Sequence, residues 1–308
     1  MNPNAPASVE PRRMKSDPDT TAVFGHGFAD IIDQYDWDAT IRQVEEATDA
    51  DVRRVLAKAE RNVKPLTPDE FAMLISRAAT PYIEQMARLS RKFTQERFGK
   101  TISLYIPMYV SNACTNKCVY CGFNHDNPFT RTTLTQAQIA EECKAIKKLG
   151  PFENLLIVAG EYPTLCGIDY LEETLHTVRP YFHNLTIEVQ PMRSADYYRL
   201  TKSGLNGVVC FQETYHREAY KSYHPRGMKS HFDWRLNGFD RMGEAGVHKI
   251  GMGRGHACQA SALSSATLLA FALFRQFPQN ASFGKRFPAQ EHHQRQRTGP
   301  AHIRIQAF

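Results

Sequence analysis

The 308-residue sequence lacks what a membrane or secreted protein needs. No apolar run reaches the roughly 18 residues expected of a transmembrane helix. The longest candidate, 260–274, is interrupted by Ser264, Ser265 and Thr267. The opening stretch, MNPNAPASVEPRRMKSDPDTT, has no apolar core of the kind that directs secretion, so a cytoplasmic protein is expected. The seven cysteines are odd in number, which argues against a disulfide framework. A basic stripe for nucleic acid is missing too. Of the 38 Lys and Arg, seven lie in 254–308 beside a single acid, Glu291. That leaves 31 basic against 31 acidic residues in 1–253, so the net charge of +6 belongs wholly to the tail.

Residues 1–30 are rich in Pro, Asp, Asn and small side chains, and are expected to be disordered. Residues 31–100 read as helical. Thr67, Pro68 and Glu70 form a capping-box start, with Phe71, Leu74, Ile75 and Ala78 following at helical spacing. Thr80-Pro81 opens a second helix that turns Ile83, Met86, Leu89 and Phe93 inward and stops at Gly99. These apolar residues are expected to be core.

From Thr101 the pattern alternates. Strands are predicted at 103–110, 154–159, 185–190, 207–212 and 247–252. Between them lie helices opened by Thr135 with Gln138, by Asp169 with Glu172, and by Ser194, and a fourth over 229–245 followed by Gly246. Strands alternating with helices give a parallel sheet with right-handed crossovers. Five such units point to an α/β protein of the β/α-barrel type, with its chemistry at the C-terminal ends of the strands.

Three of the cysteines fall there. Cys114, Cys118 and Cys121, in a Cys-x3-Cys-x2-Cys spacing, follow the first strand. Three thiolates can hold three corners of a [4Fe-4S] cubane and leave the fourth iron open for chemistry. The alternative is zinc, with His125 completing a four-ligand site.

The segments FGKTISLYIPMYVSNACTNKCVYCGF, NLLIVAGEYP, LTIEVQPM, GVVCFQETYH and FDWRLNGFDRMGEAGVHKIGMG carry a resemblance across about 38–253. This stretch resembles the 2-iminoacetate synthase family, the radical S-adenosylmethionine (SAM) tyrosine lyases of thiamine biosynthesis. The resemblance implies a radical SAM β/α barrel. It also implies a [4Fe-4S] cluster whose open iron chelates SAM, and an electron from a flavodoxin or ferredoxin. A 5'-deoxyadenosyl radical then takes hydrogen from the amino group of L-tyrosine. Cleavage at Cα–Cβ yields 2-iminoacetate and p-cresol, and thiazole synthase is an implied partner. A cousin, the tyrosine lyase of hydrogenase maturation, carries a second cysteine cluster near its C-terminus; this tail has only Cys258.

Carried onto this sequence, the resemblance makes Cys114, Cys118 and Cys121 the cluster ligands. It assigns Tyr120, Gly160, Glu161 and Arg235 to SAM binding, and Glu188, Gln212 and Glu213 to catalysis. Gly160, Glu161, Glu188 and Arg235 are expected to converge in one cavity facing the cysteine loop. Each has a structural alternative: a strand-to-helix turn for Gly160 and Glu161, a buried ion pair for Glu188, a polar rim for Gln212 and Glu213, and a helix-surface ion pair for Arg235. Tyr215, His216 and His224 are weaker candidates.

The likeness stops at Gly253. The tail has no Val, Tyr, Trp or Met, but ten Ala, seven Gln and four His. A reading-frame shift is the simplest account, and the barrel is expected to be incomplete at about five units. The competing reading of function is therefore an inactive fragment or metal-binding module.

Overall fold

A computed structural model describes residues 27–253 other than Tyr35 and Val63. The expectations for the tail, including a helix over 260–274, lie outside the described residues. An N-terminal helical layer comprises α1 (Phe28–Asp33), α2 (Trp37–Glu46), α3 (Asp49–Arg61), α4 (Pro68–Leu74), a 3-10 turn (Arg77–Tyr82) and α5 (Ile83–Phe98). Its helices start where short-range chemistry dictates. Thr48 with Asp51, and Thr67 with Glu70, form reciprocal capping boxes, and Pro68 follows the second cap. The layer's own core is small: Val52, Leu56 and Ala79, flanked by Leu74, Tyr82, Met86 and Leu89. Ile83, expected to face inward, is 56% exposed, because no residue of α5 is fully buried.

The expected break near residue 30 falls inside α1, whose Phe28 and Ala29 are buried. Phe28 packs edge-on against Phe239, and its N–H donates to Asp240 Oδ2 at 2.9 Å.

The strands are β1 (Tyr105–Ser111), β2 (Asn154–Ala159), β3 (Asn184–Glu188), β4 (Leu205–Phe211) and β5 (Lys249–Gly253). They form one parallel sheet in sequential order, each paired with its predecessor. The connecting helices are α6 (Gln136–Leu149), α7 (Ile168–Val178), α8 (Ser194–Lys202), α9 (Arg217–Tyr223), α10 (Phe232–Leu236) and α11 (Gly238–Glu244). Side chains alternate across a strand, so each strand serves two layers. Leu155, Ile157, Leu185, Ile187, Val208, Cys210, Ile250 and Met252 pack with the helices in the main core. Leu156, Val158 and Val209, with Phe211, form a separate cluster on the opposite, inner face.

Two helix starts differ from expectation. α7 has Gly167, which offers no side-chain bond, as its N-cap, and Asp169 lies inside the first turn and pairs with Arg199 at 2.7 Å. Ser194 is the first residue of α8 rather than its cap, and its hydroxyl donates to Glu244. The helix expected over 229–245 is three pieces: a 3-10 turn (Met228–Ser230), α10 and α11. The breaks let Lys229 and Arg235 reach the sheet end while Leu236, Phe239 and Met242 stay in the core.

Candidate active site

β1 ends at Ser111 and the chain runs directly into the cysteine loop. Backbone N–H groups of Asn116 and Phe123 donate to Cys114 Sγ (3.5 Å) and Cys121 Sγ (3.4 Å). Arg131 ties the loop's far limb by donating to the carbonyls of Asn112 (2.8 Å) and Phe123 (3.0 Å). Lys117 N–H donates to Arg226 O and Val119 N–H to Tyr223 O, both at 3.1 Å, joining the loop to the 223–230 segment after β4. That segment lies close because Gly227 has φ +95°; a Cβ there would overlap Asn116 Oδ1 and stand 2.7 Å from Asn116 Cα. At the next strand end, a Cβ on Gly160 would overlap Ala113 O and stand 3.1 Å from Cys114 Cβ. Gly160 is thus explained first by the loop lying against it.

Glu161 follows, 8% exposed. Its Oε1 accepts from Arg235 Nη1 at 2.6 Å and its Oε2 from Asn116 Nδ2 at 2.9 Å. Burial would raise this carboxyl, but Arg235 and Lys229 hold it below the ordinary range, so it is an anion. Its carbonyl accepts from both the N–H and the hydroxyl of Thr115. Arg235 is 4% exposed and also donates to Phe211 O at 2.8 Å, so it is an internal clamp and not a helix-surface residue.

Glu188 ends β3 two residues from Thr186, whose hydroxyl lies on the Gly207 side of the sheet. Burial raises its carboxyl, and among the described residues it makes no hydrogen bond or ion pair. Gln212 is fully buried rather than on a solvent-facing rim, and neither amide atom has a partner. Gln190 donates to Cys166 O but leaves its Oε1 unpartnered. Glu213 adopts φ +72°, a left-handed conformation costing a residue with a Cβ roughly 1–2 kcal/mol. Its Oε1 accepts from Lys229 Nζ at 2.7 Å, both side chains being buried.

The weaker candidates divide. Tyr215 is core, beside Phe28, and His216 caps α9 by accepting from Ala219 N–H. His224 is buried between Tyr220 O (2.9 Å, at Nδ1) and Tyr120 OH (2.8 Å, at Nε2). Burial, then Lys229, pushes it down to about 4, so it is neutral: Nδ1–H donates to the carbonyl and Nε2 accepts from the Tyr120 hydroxyl. Sequence reasoning missed Asn116 and Lys229. Asn116 lies inside the cysteine motif but no spacing rule singles it out, and Lys229 acquires its neighbours only through the turn at Gly227.

The donor set fits an iron–sulfur cluster. All three donors are sulfur, two of them accept backbone N–H groups, and burial pushes Cys118 up to about 11, a penalty that ligation by iron removes. His125 is exposed and pairs with Asp126. Zinc takes ligands at about 2.3 Å around one ion. A cubane instead takes each thiolate on a separate iron. Glu188 and Gln212 thus carry polar groups that nothing among the described residues satisfies. A shallow hollow lined by Arg88, Arg91, Lys92, Gln95 and Glu96 runs along α5 and includes none of these residues.

A parallel β/α sheet with a three-cysteine loop after its first strand defines a radical SAM domain. Residues 108–255 match the family model of the Radical SAM superfamily. More particularly, the chain is 44% identical over 226 residues to the 2-iminoacetate synthase of Escherichia coli strain K12, covering 73% of this chain and 58% of that protein. The chain thus spans little more than half the length of that curated relative. In structure it is similar to HydG, a maturase of the [FeFe]-hydrogenase, with a TM-score of 0.71 and 30% identity over 80% of this chain and 55% of that one. Methylornithine synthase (PylB), at 23% identity and a TM-score of 0.56 over 80% of this chain and 64% of that one, shares the fold. No helix among the described residues is long and apolar enough to cross a membrane.

Proposed function

We propose that this chain is a radical SAM lyase that cleaves L-tyrosine between Cα and Cβ, giving 2-iminoacetate and p-cresol for the thiazole moiety of thiamine. The observation that carries this is the anionic Glu161, held by Arg235 and Asn116 directly against the three-cysteine loop. When bound, a [4Fe-4S] cluster with SAM supplies the radical chemistry. Cys114, Cys118 and Cys121 are its ligands, and Tyr120, Gly160, Glu161 and Arg235 line the SAM side. Glu188, half-buried and unpartnered, receives an ammonium group from SAM or tyrosine. Gln212 offers an amide donor and acceptor to the substrate, and Glu213 fixes the rim by holding Lys229. The electron donor is a flavodoxin or ferredoxin, and thiazole synthase takes the product. Six free cysteines among the described residues suit a reducing, cytoplasmic compartment.

The test is p-cresol formation by the full chain after anaerobic reconstitution with iron and sulfide, given tyrosine, SAM and dithionite. Stoichiometric p-cresol is expected. The competing reading is a cluster-binding module without turnover. A reconstituted brown protein that makes neither p-cresol nor 5'-deoxyadenosine would establish that reading and end the first.

A further inference from the structure

Lys229 is the least expected charge at the mouth. It is 9% exposed, and its position is fixed at every level. Its N–H donates to Asn116 Oδ1 at 2.8 Å, its carbonyl accepts from the Tyr220 hydroxyl, and its ammonium is held by Glu213. Asn116, between Cys114 and Cys118, therefore joins Lys229 to the cysteine loop on one side and to Glu161 on the other. The ammonium stands 5.7 Å from the ring centroid of Tyr120, which separates Cys118 from Cys121 by sequence.

A buried ion pair of this kind adds little to stability, because desolvating both charges offsets their attraction. Its glutamate also has a left-handed backbone; the other non-glycine residue with positive φ among the described residues is Asn62, a residue type that tolerates it. Strain held at a functional mouth points to a role in the chemistry. The role available to a fixed cation beside thiolates is electrostatic. A cluster gains one negative charge when it accepts an electron, and a neighbouring positive charge stabilises that state.

We propose that Lys229, aimed by Glu213 and Asn116, is a positioning residue that sets the reduction potential of the cluster. This rests on reading the cysteine loop as an iron–sulfur site. The test is an EPR-monitored redox titration of the anaerobically reconstituted full chain, without SAM or tyrosine, for wild type, K229M, K229R and E213Q. At a fixed solution potential, K229M is expected to hold about tenfold less reduced cluster relative to oxidised, equivalent to about 59 mV for a one-electron couple. E213Q, which leaves the lysine charge unopposed, should shift in the opposite direction, and K229R should stay near wild type. Should K229M fail to keep its cluster, a raised potential in E213Q with K229R unchanged still supports the proposal. Shifts of the same sign in K229M and E213Q, or no shift in E213Q, would overturn it. A wild-type chain that takes up no iron would instead defeat the cluster reading beneath it.

Discussion

The N-terminal helices and the mouth of the barrel are held together by opposite means. In the helical layer the helix starts are fixed by short-range, exposed polar bonds: Thr48 to Asp51, Thr67 to Glu70, Arg53 to Asp49. At the mouth they are long-range and buried. Arg235 reaches 74 residues back to Glu161, and Lys229 reaches 113 back to Asn116. The first arrangement costs little desolvation and returns little. The second costs much, and withdrawing one partner leaves a charge that water cannot reach. The difference teaches where position, rather than stability, has shaped the chain.

Substitutions can break or sharpen this contrast. The largest effect is expected from Arg235→Met, which strands Glu161: a loss of about 3–5 kcal/mol, read as a lower denaturant midpoint with an unchanged slope. If Arg235→Met cost no more than a helix cap, the contrast would be wrong. Next comes the joint between the two regions. Burial pushes Asp240 up to about 7 from an ordinary 3.8. The folded state therefore binds the proton more tightly than the unfolded one. The stability this confers is complete below about pH 4 and is lost as pH rises to about 7. Asp240→Asn keeps an oxygen for Phe28 N–H, so it should flatten that slope and exceed wild type at pH 8. The gain should be on the order of a few kcal/mol, since each tenfold change in proton affinity is worth about 1.4 kcal/mol. Thermal melts across pH measure it.

Gly227→Ala should cost about 1–3 kcal/mol, as overpacking does. It should also lower iron uptake on reconstitution, because the loop must move off Asn116. Thr67→Ala, which removes a cap, should cost about 1 kcal/mol and leave iron uptake unchanged. Arg53→Ala, on the exposed face of α3, should melt with wild type.

What the sequence made legible follows the same division. The five strands, the Thr67 and Thr135 caps and the cysteine loop all announce themselves within a few residues, because each depends on near neighbours. The 229–245 stretch misled, since Leu236, Phe239 and Met242 keep helical spacing across a break at Asn237. Asp169 misled too, because a capping residue with an arginine in reach has two partners to choose from. Glu161 and Arg235 could be named from motifs, but their pairing could not, and Lys229 and Asn116 were invisible until the fold closed. Local rules hold wherever the competing partner is water, and fail where it is another part of the chain.

The docking of α1 has a consequence for synthesis. The bond from Phe28 to Asp240 spans 212 residues. At translation rates of about 5–20 residues per second, roughly 10–40 s separate the appearance of its two ends. Through that interval Phe28 and Ile32, both fully buried in the finished protein, have no surface to bury against in α11. This early helix is thus among the last to be seated, and nascent chains should expose it to chaperones while the sheet behind it is still being made.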